Sequence, residues 1–320
     1  MLLISRYLNP PRNFHKLLVP VVFVLLNKNL LGLYKYSFMK SASSVKELKS
    51  YFKSKDLKPK GFVPTMGALH NGHLSLVAKA VKECPVVIVS IFVNPSQFND
   101  KEDLKNYPRT VEKDLELLSS VMRENDIVFI PDTKEIYPKE DNSTFSFGSL
   151  DKVMEGSHRP GHFNGVAQVI RRLFDIVTPD VAYFGQKDFQ QLTIIRKLVR
   201  QTGNRVKITS CPIIRESDGL AMSSRNTLLE PAIRKNASII FSTISSAAEM
   251  AKTSEIADIK EYVKNSINST PGFSIEYFEI VDDIELIPVR NKSEIIKGKR
   301  YFGCIAVKAG KIRLIDNIEI

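Results

Sequence analysis

Three cysteines in 320 residues, Cys84, Cys211 and Cys304, are too far apart and odd in number for a disulfide framework, and none has C-x-x-C spacing. That usage fits a reducing compartment in which each thiol is a small buried side chain. Long apolar runs are missing too. Leu17 to Leu26 is interrupted by Pro20 and falls well short of the ~20 residues that cross a bilayer, so no stable membrane insertion is expected. No run of like charge interleaved with aromatics marks a nucleic-acid surface, and there is no internal repeat or low-complexity tract. The first 40 residues lack acidic side chains but hold Arg6, Arg12, Lys16, Lys28, Lys35 and Lys40, so the net charge of +11 falls to 11 − 6 = +5 without them. A moderately basic body suits an enzyme that handles phosphates and carboxylates.

Residues 1–38 read as a leader or a disordered extension. A mis-assigned start, a mitochondrial targeting segment and a poor secretory signal all remain open, although no A-x-A-like cleavage site supports the last. Ser44 and Glu47 have the spacing of a helix capping box, so a complete domain can begin near Met39.

From Lys60 onward short apolar runs alternate with helical patterns. Strands are expected at Gly61 to Pro64, Val86 to Val93, Ile127 to Ile130, Val181 to Phe184 and Val206 to Ile214. Helices are expected at Leu74 to Lys82, Thr110 to Arg123, Val166 to Ile176 and Gln190 to Arg200. Strands apolar on both faces and separated by helices imply a doubly wound, Rossmann-like α/β domain over 39–213, with ligands beyond the carboxyl ends of its strands. Over 214–320 the rhythm changes to helices at Pro231 to Lys252 and Ile256 to Ile267, then strands at Ser274 to Val281, Tyr301 to Lys308 and Lys311 to Ile315. This is the pattern of a smaller α+β lid domain, with Ala309-Gly310 as a hairpin turn.

Four of the five histidines fall in two glycine-bearing loops. His70 and His73 stand where a strand enters a helix, in Thr65-Met66-Gly67-Ala68-Leu69-His70-Asn71-Gly72-His73. Free N–H groups and a partial positive charge there suit a polyphosphate, and imidazoles can donate to oxygens as charge develops. The pair is three residues apart, whereas metal-binding helical pairs usually stand four apart. Gly72 leaves room for a nucleotide near the backbone. His158 and His162 flank Arg159-Pro160-Gly161, where Arg159 offers a planar fork for carboxylate or phosphate.

Lys187 and Asp188 follow an expected strand and open a helix. Lys187 can present a point charge to phosphate, while Asp188 can cap the helix, accept from ribose hydroxyls, or do both. Gln191 can donate to a carboxylate or hydroxyl. Asp218 to Asn226 sets Ser223 and Ser224 beside Arg225, a combination suited to a leaving pyrophosphate on a loop that closes over nucleotide. Asn94 and Gln97 end the most continuous apolar strand and can recognise hydroxyl and carboxylate oxygens without adding charge.

Five segments, P-T-M-G-A-L-H-N-G-H, S-I-F-V-N-P-S-Q-F, H-R-P-G-H-F-N-G-V, F-G-Q-K-D-F-Q-Q and D-G-L-A-M-S-S-R-N, together resemble the pantoate:β-alanine ligase family in order and spacing. The resemblance runs from about Met39 to Ile315-Asp316-Asn317-Ile318. It implies an ATP-dependent condensation of pantoate with β-alanine through a pantoyl adenylate, releasing AMP and pyrophosphate. It further implies that His70, His73, Lys187, Ser223, Ser224 and Arg225 handle the phosphates, that Met66, Gly185, Asp188, Ile214 and Met222 complete the ATP site, and that Gln97, Gln191, Met66, Arg159 and His162 serve pantoate. Mg²⁺ is expected on ATP, with no protein ligand assigned, because Lys113 stands where the family can place an acid. Gln186 likewise replaces a frequent Glu. A homodimer and a cytoplasmic location are implied, with the mitochondrion as the alternative if residues 1–38 are a genuine leader. Another H-x-G-H nucleotidyltransferase is the alternative function. A tRNA synthetase fits poorly, since only 320 − 225 = 95 residues follow Arg225, with no basic anticodon-binding module.

Overall fold

The computed structural model describes residues 39–52, 57–99 and 101–320; the leader readings over 1–38 lie outside them. Strands β1 (Lys40–Ala42), β2 (Lys60–Thr65), β3 (Val86–Ile91), β4 (Ile127–Phe129), β5 (Val181–Gly185) and β6 (Lys207–Cys211) form one parallel sheet in the order β1-β4-β3-β2-β5-β6. Alternation along each strand splits its side chains between two cores. Phe62 and Ile88 face one core with Leu48 of α1 (Val45–Phe52), Val166 of α4 (His162–Val177) and Leu192 of α5 (Phe189–Thr202). Val63, Val87 and Val89 face the other, with Val77 of α2 (Asn71–Glu83) and Leu118 of α3 (Val111–Ser119). Helices therefore cover both faces, and β3 is buried along its whole length.

Chain order fixes where a ligand can sit. From β2 the chain builds outward through β3 and β4, then returns to lay β5 against the other side of β2. The loops after β2 and β5 consequently diverge at the carboxyl edge and leave a crevice between them.

A smaller unit follows, with α6 (Ile239–Met250), α7 (Ile256–Asn268) and an antiparallel sheet of β7 (Phe273–Asp282), β8 (Tyr301–Ala309) and β9 (Ile312–Glu319) in the order β7-β8-β9. Its own core joins Ile240 and Ile244 of α6 to Ile259 and Val263 of α7 and to Ile280 and Ile305 of the sheet.

The fold departs from the sequence reading at several elements. The three-residue β1 was not expected; it is too short to show a period and is held by pairing with β4. β6 stops at Cys211 instead of Ile214 because Pro212 has no N–H to offer a ladder. α3 ends at Ser119 instead of Arg123, where Ser119 and Ser120 hydroxyls donate back to the Glu116 and Leu117 carbonyls. The helix expected from Pro231 to Lys252 breaks into Pro231–Asn236 and α6, with bonds from Ala237 N to Arg234 O and Ile240 N to Ala237 O tightening the join. β9 continues past Ile315 to Glu319, because the polar Asp316 and Asn317 are buried against Arg215 and the Gln186–Lys187 segment, respectively.

Candidate active site

The loop after β2 brings His70 and His73 to the start of α2, and the two histidines cap that helix reciprocally. His70 Nδ1 accepts from the Gly72 N–H at 3.1 Å, and His73 Nδ1 accepts from the His70 N–H at 3.4 Å. Gly72 is required for this arrangement. A Cβ there would stand 2.8 Å from His70 Cε1 and Nδ1. With both Nδ1 atoms accepting, each ring carries its proton on Nε2 as a donor.

Both rings are neutral. Burial first, then the Lys187 ammonium, lowers His70 from 6.5 to about 4; burial, His70 and Lys187 together lower His73 to about 3. His162 is lowered to about 4, mainly by burial and then by Arg159. Below pH 6.5 the unfolded chain binds protons that these folded rings refuse, so their contribution is complete above 6.5 and is lost as pH falls toward 4 and 3. The urea midpoint should therefore drop steadily from pH 6.5 to about 5, a range in which most carboxylates stay ionised. A flat midpoint over that interval would contradict neutral, buried histidines.

Ahead of the histidines, Ala68 has a left-handed φ of 49°, which costs a non-glycine residue about 1–2 kcal/mol. Asp114 of α3, 1% exposed, compensates. Its carboxylate accepts from the Ala68 N–H at 3.0 Å, the Leu69 N–H at 2.8 Å and the Thr110 hydroxyl at 3.1 Å. Hydrogen bonds to a charged group contribute about 1.5–3 kcal/mol each, so the clamp outweighs the strain. Ser224 Oγ closes the same residue from the other side, donating to the Ala68 carbonyl at 2.9 Å.

Gly185 ends β5 with open space where a side chain would stand. Lys187 Nζ lies 3.5 Å from Asp188 Oδ1. Asp188 occupies the N-cap position of α5 but makes no side-chain cap bond, which leaves its carboxylate facing the cleft. The segment expected to be a closing loop is a short hairpin. Met222 N donates to Ile214 O, Arg215 pairs with Ala221, and Ser223 Oγ accepts from the Arg225 N–H at 3.2 Å. The Arg225 guanidinium rests over Tyr107 and bonds both oxygens of Asp103, at 2.9 and 3.0 Å.

At the opposite wall Gln97 Nε2 donates toward Met66 Sδ at 2.7 Å. Asn94, 1% exposed, is committed to the scaffold, donating to the Gly165 carbonyl and accepting from the Tyr137 and Ser96 hydroxyls. It also lines the cleft, its Nδ2 donating to Gln97 Oε1 at 3.3 Å. His162 stands behind Gln97, its Nδ1–H donating to the Gln97 carbonyl at 2.7 Å while Nε2 accepts from Arg159 at 3.3 Å.

One cleft, with a cavity volume of about 210 Å³, collects most of these groups. Met66, His70, His73 and Gln97 line one side; Gly185, Lys187, Asp188 and Gln191 line another. Ile214, Met222, Ser223, Ser224 and Arg225 form its rim. Arg159 and His162 are set apart in an adjoining pocket that shares Lys187, Asp188 and Gln191. Asp114, Asp103 and Asn317 were not singled out from sequence. Asp114 looks like an ordinary acid in a first helical turn, and the other two reveal themselves only through contacts about 120 to 130 residues distant.

Fold and cleft together define a nucleotide-handling α/β enzyme, with a histidine-capped turn and a cationic loop facing each other across a topological switch point. The chain belongs to the pantoate-beta-alanine ligase family, whose model matches residues 38–319. Pantothenate synthetase of Phocaeicola vulgatus is 49% identical over 284 residues, covering 88% of this chain and 99% of that one. The crystal structure of pantothenate synthetase from Thermus thermophilus superposes with a TM-score of 0.80 at 40% identity, covering 88% of this chain and 99% of that one. That of Francisella tularensis pantoate-beta-alanine ligase, complexed with beta-gamma ATP and beta-alanine, gives 0.71 at 35% identity, covering 88% and 97%. The chain is accordingly an enzyme, and its activity is the ligation of pantoate with β-alanine.

Proposed function

We propose that ligation proceeds through a pantoyl adenylate formed in this cleft from ATP. A pantoate carboxylate oxygen attacks the α-phosphorus, and the bond to pyrophosphate breaks. The free amine of β-alanine then attacks the acyl carbon, the bond to AMP breaks, and the amine gives up a proton. The carrying observation is the reciprocal histidine cap, which leaves two neutral Nε2–H donors beside Lys187 on the face where charge accumulates on phosphoryl oxygens. Lys187, Ser223, Ser224 and Arg225 would hold the leaving pyrophosphate, and Arg225 would exchange Asp103 for it. Gly185 and Asp188 would meet the ribose, with Met66, Ile214 and Met222 beside the nucleotide. Gln97 and Gln191 would bind the hydroxyls and carboxylate of pantoate, with Met66, Phe92 and Val166 supplying apolar wall for its methyl groups. Arg159 and His162 would act from the adjoining pocket, His162 by fixing Gln97.

The carboxylates at hand do not form a magnesium cage. Asp114 is held by the Ala68 and Leu69 N–H groups, and no cluster of three metal-binding side chains occurs among the described residues. Mg²⁺ would arrive on the ATP phosphates. We place the domain division at 213/214, supported by the separate core of the smaller unit. The homodimer and the cytoplasmic location remain part of the proposal by family resemblance; no helix among the described residues is long and apolar enough to cross a membrane. The route is tested with pantoate labelled with ¹⁸O in its carboxylate. An adenylate leaves one label in the AMP phosphate, and label found only in pyrophosphate or phosphate would reject it.

A further inference from the structure

The strand β9 is an edge of the small sheet, and its alternate residues face different neighbours. Leu314 turns to the core of the small unit, and Asp316 reaches the Arg215 guanidinium, itself stacked 3.7 Å from the Phe241 ring. Arg313 and Asn317 turn instead to the first domain, Arg313 to Glu155 and Asn317 to the segment carrying Lys187. Asn317 is 2% exposed, and its Nδ2 donates to the Gln186 carbonyl at 2.9 Å and the Lys187 carbonyl at 3.0 Å. Two carbonyl acceptors require the NH₂ end of the amide there, while Oδ1 accepts no hydrogen bond. On the far side the Gln186 N–H donates to the Cys211 carbonyl of β6 at 2.8 Å. The two peptides flanking the Lys187 Cα are thus gripped by the small domain, and the peptide before them by β6.

We propose that Asn317 is a positioning residue for Lys187: its two amide protons lock successive carbonyls of the Lys187 segment and thereby set the direction in which the ammonium enters the cleft. This rests on the phosphate-binding role given to Lys187 above. An apolar side chain of similar size could make neither bond, so the donors account for asparagine at this position. Aspartate has the same shape but sets a carboxylate against two carbonyl oxygens.

The test is a double-mutant cycle in the full chain, read by pantoate-dependent ATP–pyrophosphate exchange. Asn317→Ala and Asn317→Asp should each lower exchange turnover by about 10²-fold with little change in KM for pantoate, as misplacement of a reacting group does. Added to Lys187→Ala, Asn317→Ala should cost nothing further, because it acts through the side chain already removed. Asn317→Ala within about threefold of the parent, or a double variant showing the full product of both losses, would overturn the proposal. If Asn317→Ala does not fold, Asn317→Ser, which keeps one donor, supplies the same cycle with an expected loss of about tenfold. Parent exchange that needs no pantoate would instead defeat the adenylation reading, and normal exchange by Lys187→Ala would remove the role of Lys187 and this proposal with it.

Discussion

His73→Ala should lower the turnover of adenylation by about 10²–10³-fold, the loss seen when one preorganised donor is taken from a developing charge. Lys187 stays in the cleft in that variant, so a remaining electrostatic contribution is expected and activity is not abolished. Folding should change little. The His73 ring makes one long hydrogen bond to the His70 N–H, at 3.4 Å, and α2 keeps the cap from His70. The expected signature is therefore a large drop in turnover with a nearly unchanged thermal midpoint, measured by exchange kinetics and calorimetry on the same sample. Turnover near the parent's would take His73 out of the mechanism.

Gly165→Ala should damage both stability and pantoate recognition. Gly165 lies in the first turn of α4, where that helix packs on the turn carrying Gln97. A Cβ there would stand 2.8 Å from Gln97 Cα and closer still to the Ser96 carbonyl oxygen. These are backbone atoms, so no side-chain rotation relieves the clash, and either α4 or the Ser96–Gln97 turn must move. The Asn94 bond to the Gly165 carbonyl and the His162 bond to the Gln97 carbonyl cross the same contact and would be strained with it. Overpacking of this kind costs about 1–3 kcal/mol, and a displaced Gln97 should raise KM for pantoate by about tenfold or more. Saturation kinetics in pantoate at fixed ATP, with a urea melt, would show both effects; parent values in both would mean that Gln97 is not held by this packing.

Much of the doubly wound domain was legible because its strands are buried on both faces and its helices carry a clear period. The histidine, lysine and serine–arginine loops announced themselves by residue type and by their place at strand ends. What escaped is what tertiary contact decides. Asp114 looks like a helix-start acid, yet its carboxylate holds the strained Ala68 that aims the histidines. Gly72, read as room for a nucleotide, is needed to let the His70 ring cap α2. Asp316 and Asn317 interrupt the apolar pattern of β9 because their partners, Arg215 and the Lys187 segment, lie about 100 and 130 residues away in sequence. Asn94 shows the converse, a polar residue at a strand end whose hydrogen bonds go to the Gly165 carbonyl, the Tyr137 hydroxyl and the Gln97 side chain.

The central claim is that this cleft activates pantoate by adenylation before the amine arrives, and ATP–pyrophosphate exchange tests it most directly. Exchange should appear with ATP, Mg²⁺ and pantoate alone, and AMP should be released when β-alanine is added. Exchange without pantoate, or only in the presence of β-alanine, would contradict it.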